Sequence, residues 1–270
     1  MTEAPFLKYD EGLKYFNRAS LVYLACSRWR EAADSLLECA RIHLRFLKED
    51  REAAIFLTQA AEATFKIDKN ETIKHLKSAI KIYCDIGDFL KAGTLQSEVA
   101  DMQYELKNFE EAAMGYRRAA DFFSSLPDRS DYCLFMAANC FCEIKEYRIA
   151  SDIYLLVAEG CVQSNLRKFN ARTMLLNSIL CKMDTRAAED DEGSLNKYEL
   201  LLEQSASFER IDFSWRGSKE AFFVKNIIQT RLTYNLNDFA DHIYHWNNVK
   251  PLSRFNILIL RIIESEIQAE

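Results

Sequence analysis

The feature that most constrains this chain is a corner that keeps returning. In "KSAIKIYCDIGDFLKAG", residues 77–93, one apolar stripe closes through Ile80, Ile82, Tyr83 and Ile86, and another opens at Phe89, Ala92 and Gly93. Both stripes hold the i, i+3, i+4 spacing of amphipathic helices. Between them stand only Gly87, which enters the left-handed region without a Cβ clash, and Asp88, a good N-cap. The same reading places helix starts near residues 29, 51, 70, 89, 109, 131 and 147, with Pro127 stopping the helix before the sixth. A helix and a tight corner therefore recur about every twenty residues, the signature of stacked helical hairpins.

Four of these helices open with an aromatic residue followed three positions later by alanine: Trp29/Ala32, Phe89/Ala92, Phe109/Ala112 and Tyr147/Ala150. Each pair lies on one helix face, where the alanine lets a neighbour cross closely and the ring fills the space beside it. Seven glycines and three prolines in 270 residues leave few turn residues for sheets, so an all-α chain is expected. A pair of helices spans roughly 38 to 42 residues, longer than the tetratricopeptide period of about 34. The expected fold is a right-handed α-solenoid of TPR-like antiparallel hairpins over residues 1–165, closed by a C-terminal helical bundle over 166–270. In the second part, residues 214–246 read as a long helix and a short one, and Glu189–Glu192 forms an acidic corner.

A formal charge of −6 argues against a general nucleic-acid binder, which needs a basic footprint, while leaving room for local basic patches. The N-terminal stretch has no cationic region followed by a long apolar core, so no secretory signal is expected, and no window is apolar enough to span a bilayer. The eight cysteines lie along apolar helix faces with no CxxC pair, as reduced core thiols of a cytoplasmic protein do.

Catalytic motifs are missing: there is no phosphate loop, HExxH helix or nucleophile elbow. His242 and His245, near Asp238 and Asp241, have zinc-compatible residue types, but a polar helix face before Trp246 accounts for them better. The acidic corner lacks the alternating ligands of a calcium loop, and His43 and His75 stand alone on helices. No catalytic residue, metal or cofactor is expected. Two stretches instead suit binding. Phe6 and Leu7, ahead of the first helix, suit an apolar tip dipping into a membrane interface, and equally a side chain packed on the first hairpin. "NLRKFNAR" interleaves Arg167, Lys168 and Arg172 with Leu166 and Phe169, which suits an acidic helical partner and equally a solvated helix start.

With these segments in place, the chain resembles the soluble NSF attachment proteins, nearest the alpha type. The likeness rests on "CSRWREAA", "AIKIYCDIGDFLKAG", "EYRIASDIYLLVA", "SNLRKFNARTMLLNSILC" and "LSRFNILILRIIESEIQ", in order, and covers the chain apart from the family's first helix. The resemblance implies a non-enzymatic cytoplasmic adaptor, peripherally associated with membranes and monomeric when free. Its partners would be the syntaxin-containing four-helix SNARE complex and the AAA ATPase NSF, which unwinds that complex in vesicle transport and membrane fusion. An alternative is a SNAP-like scaffold or mimic that binds SNAREs or a trafficking partner without activating NSF.

The resemblance assigns SNARE binding to Lys66, Leu166, Lys168, Phe169 and Arg172, and weak membrane contact to Phe6 and Leu7. Glu264, Glu266 and Glu270 would take part in contacting the ATPase. Asp88, Thr94, Tyr132 and Met136 stand where the family carries basic SNARE contacts. Gln229, Leu232 and Thr233 stand where it is acidic, and the sequence ends at "EIQAE" without the family's acidic, leucine-containing tail.

Overall fold

The computed structural model describes residues 4–164, 167–183 and 194–269. Among them are thirteen α-helices and no strand. They divide into two compact units, 1–130 and 131–270. The line expected near residue 165 falls on residues outside the described ones.

The first unit holds α1 (Ala4–Ala25), α2 (Trp29–Ile42), α3 (Asp50–Thr64), α4 (Lys69–Asp85), α5 (Phe89–Glu105) and α6 (Phe109–Phe122). From α1 through α6, each helix packs on the next. The alanine half of the aromatic–alanine pattern carries that packing: Ala32, Ala92 and Ala112 are completely buried. The aromatic half follows it unevenly: Tyr147 is buried, and Trp29 and Phe109 are half-buried. Phe89 is 53 % exposed and rests at the rim, stacked on Phe122 with centroids 6.1 Å apart. Gly93 and Gly115 bring α5 and α6 still closer, for a Cβ on Gly93 would lie 2.9 Å from the Phe123 ring and one on Gly115 would lie 3.0 Å from Ala100.

Three of the corners share one geometry. The N–H of Arg28, Asp88 and Asn108 each donates back five residues, to the carbonyls of Tyr23, Tyr83 and Gln103, at 2.8, 2.8 and 2.9 Å. These are Schellman bonds, and each needs a left-handed residue just before the donor. Gly87 supplies it at φ +75°, but Ser27 and Lys107 supply it at +57° and +62° despite their Cβ atoms. Asp88 caps α5 as expected, accepting from Lys91 N at 3.2 Å, and also pairs with Arg51 at 3.3 Å. Ion pairs between corners hold successive hairpins in register: Arg30 meets Glu71 at 3.6 Å, and Lys69 meets Glu105.

Three expectations need correction. Pro127 does not end a helix; it opens α7 (Pro127–Glu143), where the missing N–H removes no helical bond. Phe6 and Leu7 do not precede the first helix, because α1 already runs through them, with Pro5 in its first turn. Their side chains lie outside the described residues. The third concerns residues 214–246. These form two helices of equal length, α11 (Lys219–Leu232) and α12 (Leu236–Val249), parted by Tyr234 at φ +52°. The acidic corner at 189–192 lies outside the described residues.

The second unit takes most of α7, then α8 (Tyr147–Val162), α9 (Lys168–Lys182), α10 (Ser194–Ser207), α11, α12 and α13 (Arg254–Gln268). Lys145 at φ +67° makes the α7–α8 corner with the same bond, Glu146 N–H to Phe141 O at 2.9 Å. Here α9 is central, touching α8, α10, α11 and α13. Its run from Leu175 to Cys181 is buried on every side, as expected of a helix enclosed by others. Some polar groups inside are matched, with Ser151 Oγ 2.9 Å from Ser178 Oγ and Tyr154 donating to Asn139 at 2.6 Å, whereas the buried Asn177 Oδ1 and Asn256 Oδ1 accept no hydrogen bond among the described residues. All eight cysteines are free thiols and six are buried. Cys142 and Cys181 lie 3.9 Å apart, and burial pushes the Cys181 thiol up, so it stays protonated.

Candidate functional site

In the first unit, α3 and α5 run side by side with α4 behind them, leaving an open groove of about 750 Å³. Leu76 and Tyr83 of α4 form its floor, while α3 brings Thr58 and Glu62 and α5 brings Thr94, Glu98 and Met102. The spacings of four and seven residues put these side chains on one face of each helix. Phe65 caps α3 at the end of the groove, 43 % exposed, and Lys66 follows it, exposed beside the opening. The rims carry both signs, Lys66 and Lys91 against Glu62 and Glu98. Burial, together with Glu62 and Asp101, pushes the Glu98 carboxyl up. Such a channel, apolar below and charged at its edges, has the form that receives an amphipathic helix. Thr94, where the resemblance leads one to expect a basic residue, accepts a bond from Arg129 at 3.4 Å.

In the second unit, the basic cluster expected before and on α9 is divided by its partners. Arg167 forms an ion pair with Asp131, and both side chains are 18 % exposed. Arg172 donates from Nη2 to Ser214 Oγ at 2.7 Å, and from Nε to Ser214 Oγ at 3.1 Å and Asp212 Oδ2 at 3.4 Å. Burial raises the Asp212 carboxyl, but the bonds from the Ser214 hydroxyl and N–H and the charge of Arg172 outweigh it and hold it below the usual range. Only Lys168 stays exposed, 5.6 Å above the ring of Phe169, which is itself 69 % exposed. The structure thus presents Lys168 and Phe169 outward and ties the half-buried Arg172 to the turn that carries Asp212 and Ser214. Leu166 lies outside the described residues. On α7, Tyr132 is 55 % exposed, with Met136 half-buried one turn later.

Near the C-terminus, Arg231 of α11 is buried between two rings, 5.4 Å from Tyr198 and 5.1 Å from Tyr234. Its Nε lies 3.5 Å from Glu266 Oε2, and Tyr198 donates to the same carboxylate at 3.3 Å. Burial and the Glu266 charge push the Tyr198 phenol up to about 12. Glu266 therefore holds α10, α11 and α13 together. Glu264 is half-buried, Glu270 lies outside the described residues, and Gln229 on α11 and Thr233 at its C-cap are exposed.

Of the histidines, His43 begins a π-helical turn, His43–Leu47, with Nδ1 2.9 Å from Glu49 and its ring stacked on Phe56. Burial pulls the His75 pKa down. His242 lies 3.5 Å from Asn226. Among the described residues no three side chains converge as metal ligands, and no helix is long and apolar enough to cross a membrane.

Sequence reading missed one conspicuous side chain, Phe213, which is 87 % exposed in the turn between α10 and α11. The available signal was "IDFSW", two aromatics spaced by two outside any helix. Which of the two turns inward depends on Phe208, against whose ring Trp215 packs edge-on at 5.5 Å.

The sequence matches the family model for the soluble NSF attachment proteins over residues 6–268. It is 25 % identical to the alpha-soluble NSF attachment proteins of Mus musculus and Homo sapiens over 268 residues, 97 % of this chain and 86 % of theirs. It is 26 % identical over 266 residues to a probable vesicular-fusion protein, the sec17 homolog of Schizosaccharomyces pombe, covering 97 % of this chain and 88 % of that one. Among solved structures, a signal-transduction ATPase with a tetratricopeptide repeat sensor from Pyrococcus horikoshii superposes with a TM-score of 0.45 at 14 % identity, covering 94 % of this chain and 38 % of that one. By the extent of the family match, this chain is a member of the soluble NSF attachment protein family.

Proposed function

We propose that the chain is an adaptor that binds SNARE complexes and recruits an NSF-type ATPase for their disassembly in vesicle transport and membrane fusion. The observation that carries this reading is the family match along residues 6–268. Lys168 and Phe169 are the SNARE-facing pair on α9, and the groove between α3 and α5, with Lys66 at its edge, supports a second contact with a helical partner. Glu264, with Glu270, takes the ATPase side, and the first turn of α1, carrying Phe6 and Leu7, takes weak membrane contact. The role is mechanical coupling, with no bond made or broken by this chain.

The test is ATP-dependent disassembly of a purified SNARE complex by NSF, with and without this protein, using a standard adaptor to confirm active NSF. Stimulation supports the adaptor reading. Binding without stimulation moves the protein to the second reading, a scaffold or mimic that holds SNAREs passively. That alternative is favoured by one observation: the Glu266 carboxylate is engaged internally by Arg231 and Tyr198, leaving less negative charge free for an ATPase. Binding through Lys168 weakens as salt rises. Binding that ignores both salt and Lys168→Ala removes α9 from the SNARE-facing surface.

A further inference from the structure

Phe213 and Phe169 are the two most exposed phenylalanines among the described residues, at 87 % and 69 %. They lie on different elements, one in the turn after α10 and one in the first turn of α9. Arg172 joins these elements. It stands one helical turn beyond Phe169 on the same side of α9, and its guanidinium bonds to both sequence neighbours of Phe213, Asp212 and Ser214.

The turn itself is held firmly. Ser214 N–H donates to Asp212 Oδ1 at 2.9 Å, Trp215 N–H to Asp212 O at 2.8 Å and Asp212 N–H to Phe208 O at 2.9 Å. Trp215, only 1 % exposed, anchors the turn from beneath. Anchored at 212, 214 and 215, the backbone has little freedom to fold Phe213 inward, so a large apolar ring is kept in water. Arg210, Arg216 and Lys219 are exposed in the same segment, and Lys168 is exposed at the start of α9, the helix that carries Arg172. No ion pair among the described residues engages these four cations. Asp212 is already neutralised by Arg172 and Glu220 by Lys250, so Glu209 is the remaining acid of this segment. In a chain of formal charge −6, this is a locally positive surface with two projecting rings. It complements a helix that carries acidic residues beside an apolar stripe.

We propose that Phe213 is a second aromatic contact for the same acidic helical partner that meets Phe169, and that Arg172 is the positioning residue that aims it. The proposal rests on the adaptor reading, in which that partner is a SNARE complex. It also reassigns Arg172, which acts through the turn and not by touching the partner.

The test titrates the 270-residue chain and its variants against a purified syntaxin-containing SNARE complex by calorimetry, and follows hydrogen exchange across residues 208–218. Phe213→Ala weakens binding roughly tenfold, the loss typical of an aromatic anchor, without lowering Tm. Arg172→Gln weakens it by a similar factor and speeds exchange in the turn. Ser214→Ala, which leaves both charges in place, acts in the same direction but less. The double variant Arg172→Gln/Phe213→Ala binds about as well as Phe213→Ala alone, because both changes remove one contact. Wild-type affinity in Phe213→Ala, or losses that multiply in the double variant, overturns the proposal. Lys168→Ala/Phe169→Ala separates the two levels. If it weakens binding while Phe213→Ala does not, only Phe213 is misassigned. If neither weakens it, or the unaltered chain does not bind, the α9 assignment fails with it.

Discussion

The two units solve the same packing problem with different connectivity. In the first, α1 to α6 each touch their neighbours in sequence, so apolar stripes alternate with exposed faces and the closest contacts are made by alanine and glycine. In the second, α9 is enclosed by four other helices and buries Leu175, Leu176, Ile179 and Leu180 almost completely. A chain of nearest-neighbour contacts should absorb damage locally, whereas a shared central helix should spread it. The candidate surfaces follow the same division. The first unit has a groove between repeated helices, and the second has side chains held by ion pairs between segments distant in sequence.

The largest predicted effect lies at the shared helix. Leu176 is 1 % exposed, so Leu176→Ala costs about 3 kcal/mol of stability. Hydrogen exchange should rise across α8, α11 and α13 together; a rise confined to α9 would break the contrast between the units. Glu266→Ala comes close behind, because it leaves Arg231 buried without its carboxylate, at a cost of about 3 kcal/mol by denaturant titration. Restoring stability with Glu266→Ala/Arg231→Met would trace the loss to the orphaned charge, and an unimproved double variant would place it elsewhere.

In the first unit, Gly93→Ala drives a methyl into Phe123 and costs roughly 1–3 kcal/mol. Its exchange signature should stay within α5, α6 and their immediate neighbours. A loss spreading to α1 and α2 would show that the repeat is more cooperative than its packing implies. Lys107→Gly has the opposite sign. It relieves a left-handed residue at φ +62° and should stabilise by about 0.5–1 kcal/mol, seen as a higher Tm.

The smallest effect is at Glu98, whose folded-state pKa is raised above its ordinary value. The charged form is disfavoured in the fold, so the wild type carries a penalty that is full above the folded pKa and vanishes below the unfolded one. Glu98→Gln should raise Tm slightly at neutral pH, and the difference should close as the solution is acidified. A difference that is constant with pH would exclude charge as its cause.

Much of the helical plan was legible because its signals are local. The starts expected at 29, 89, 109 and 147 coincide with observed ones, and those expected at 51 and 70 fall one residue from Asp50 and Lys69. Gly87 was readable as a left-handed corner, whereas Ser27, Lys107 and Lys145 were not, since nothing in those residue types announces a positive φ. Pro127 was ambiguous for a related reason: proline both ends a helix and begins the next, and only the position of its neighbours decides.

The site was legible as a list of residues but not as a surface. "NLRKFNAR" shows three cations around two apolar side chains, and local rules treat the three alike. Tertiary structure separates them. Asp131, 36 residues before Arg167, and Asp212, 40 residues after Arg172, claim two of the charges and leave Lys168 for solvent. Sequence by itself determined the helices, their period and the alanine-lined contacts, because each follows from spacings within one or two turns. The partners of Arg172, the exposure of Phe213 and the engagement of Glu266 by Arg231 and Tyr198 were decided only by the folded chain, because each depends on a partner that nothing in the local sequence identifies.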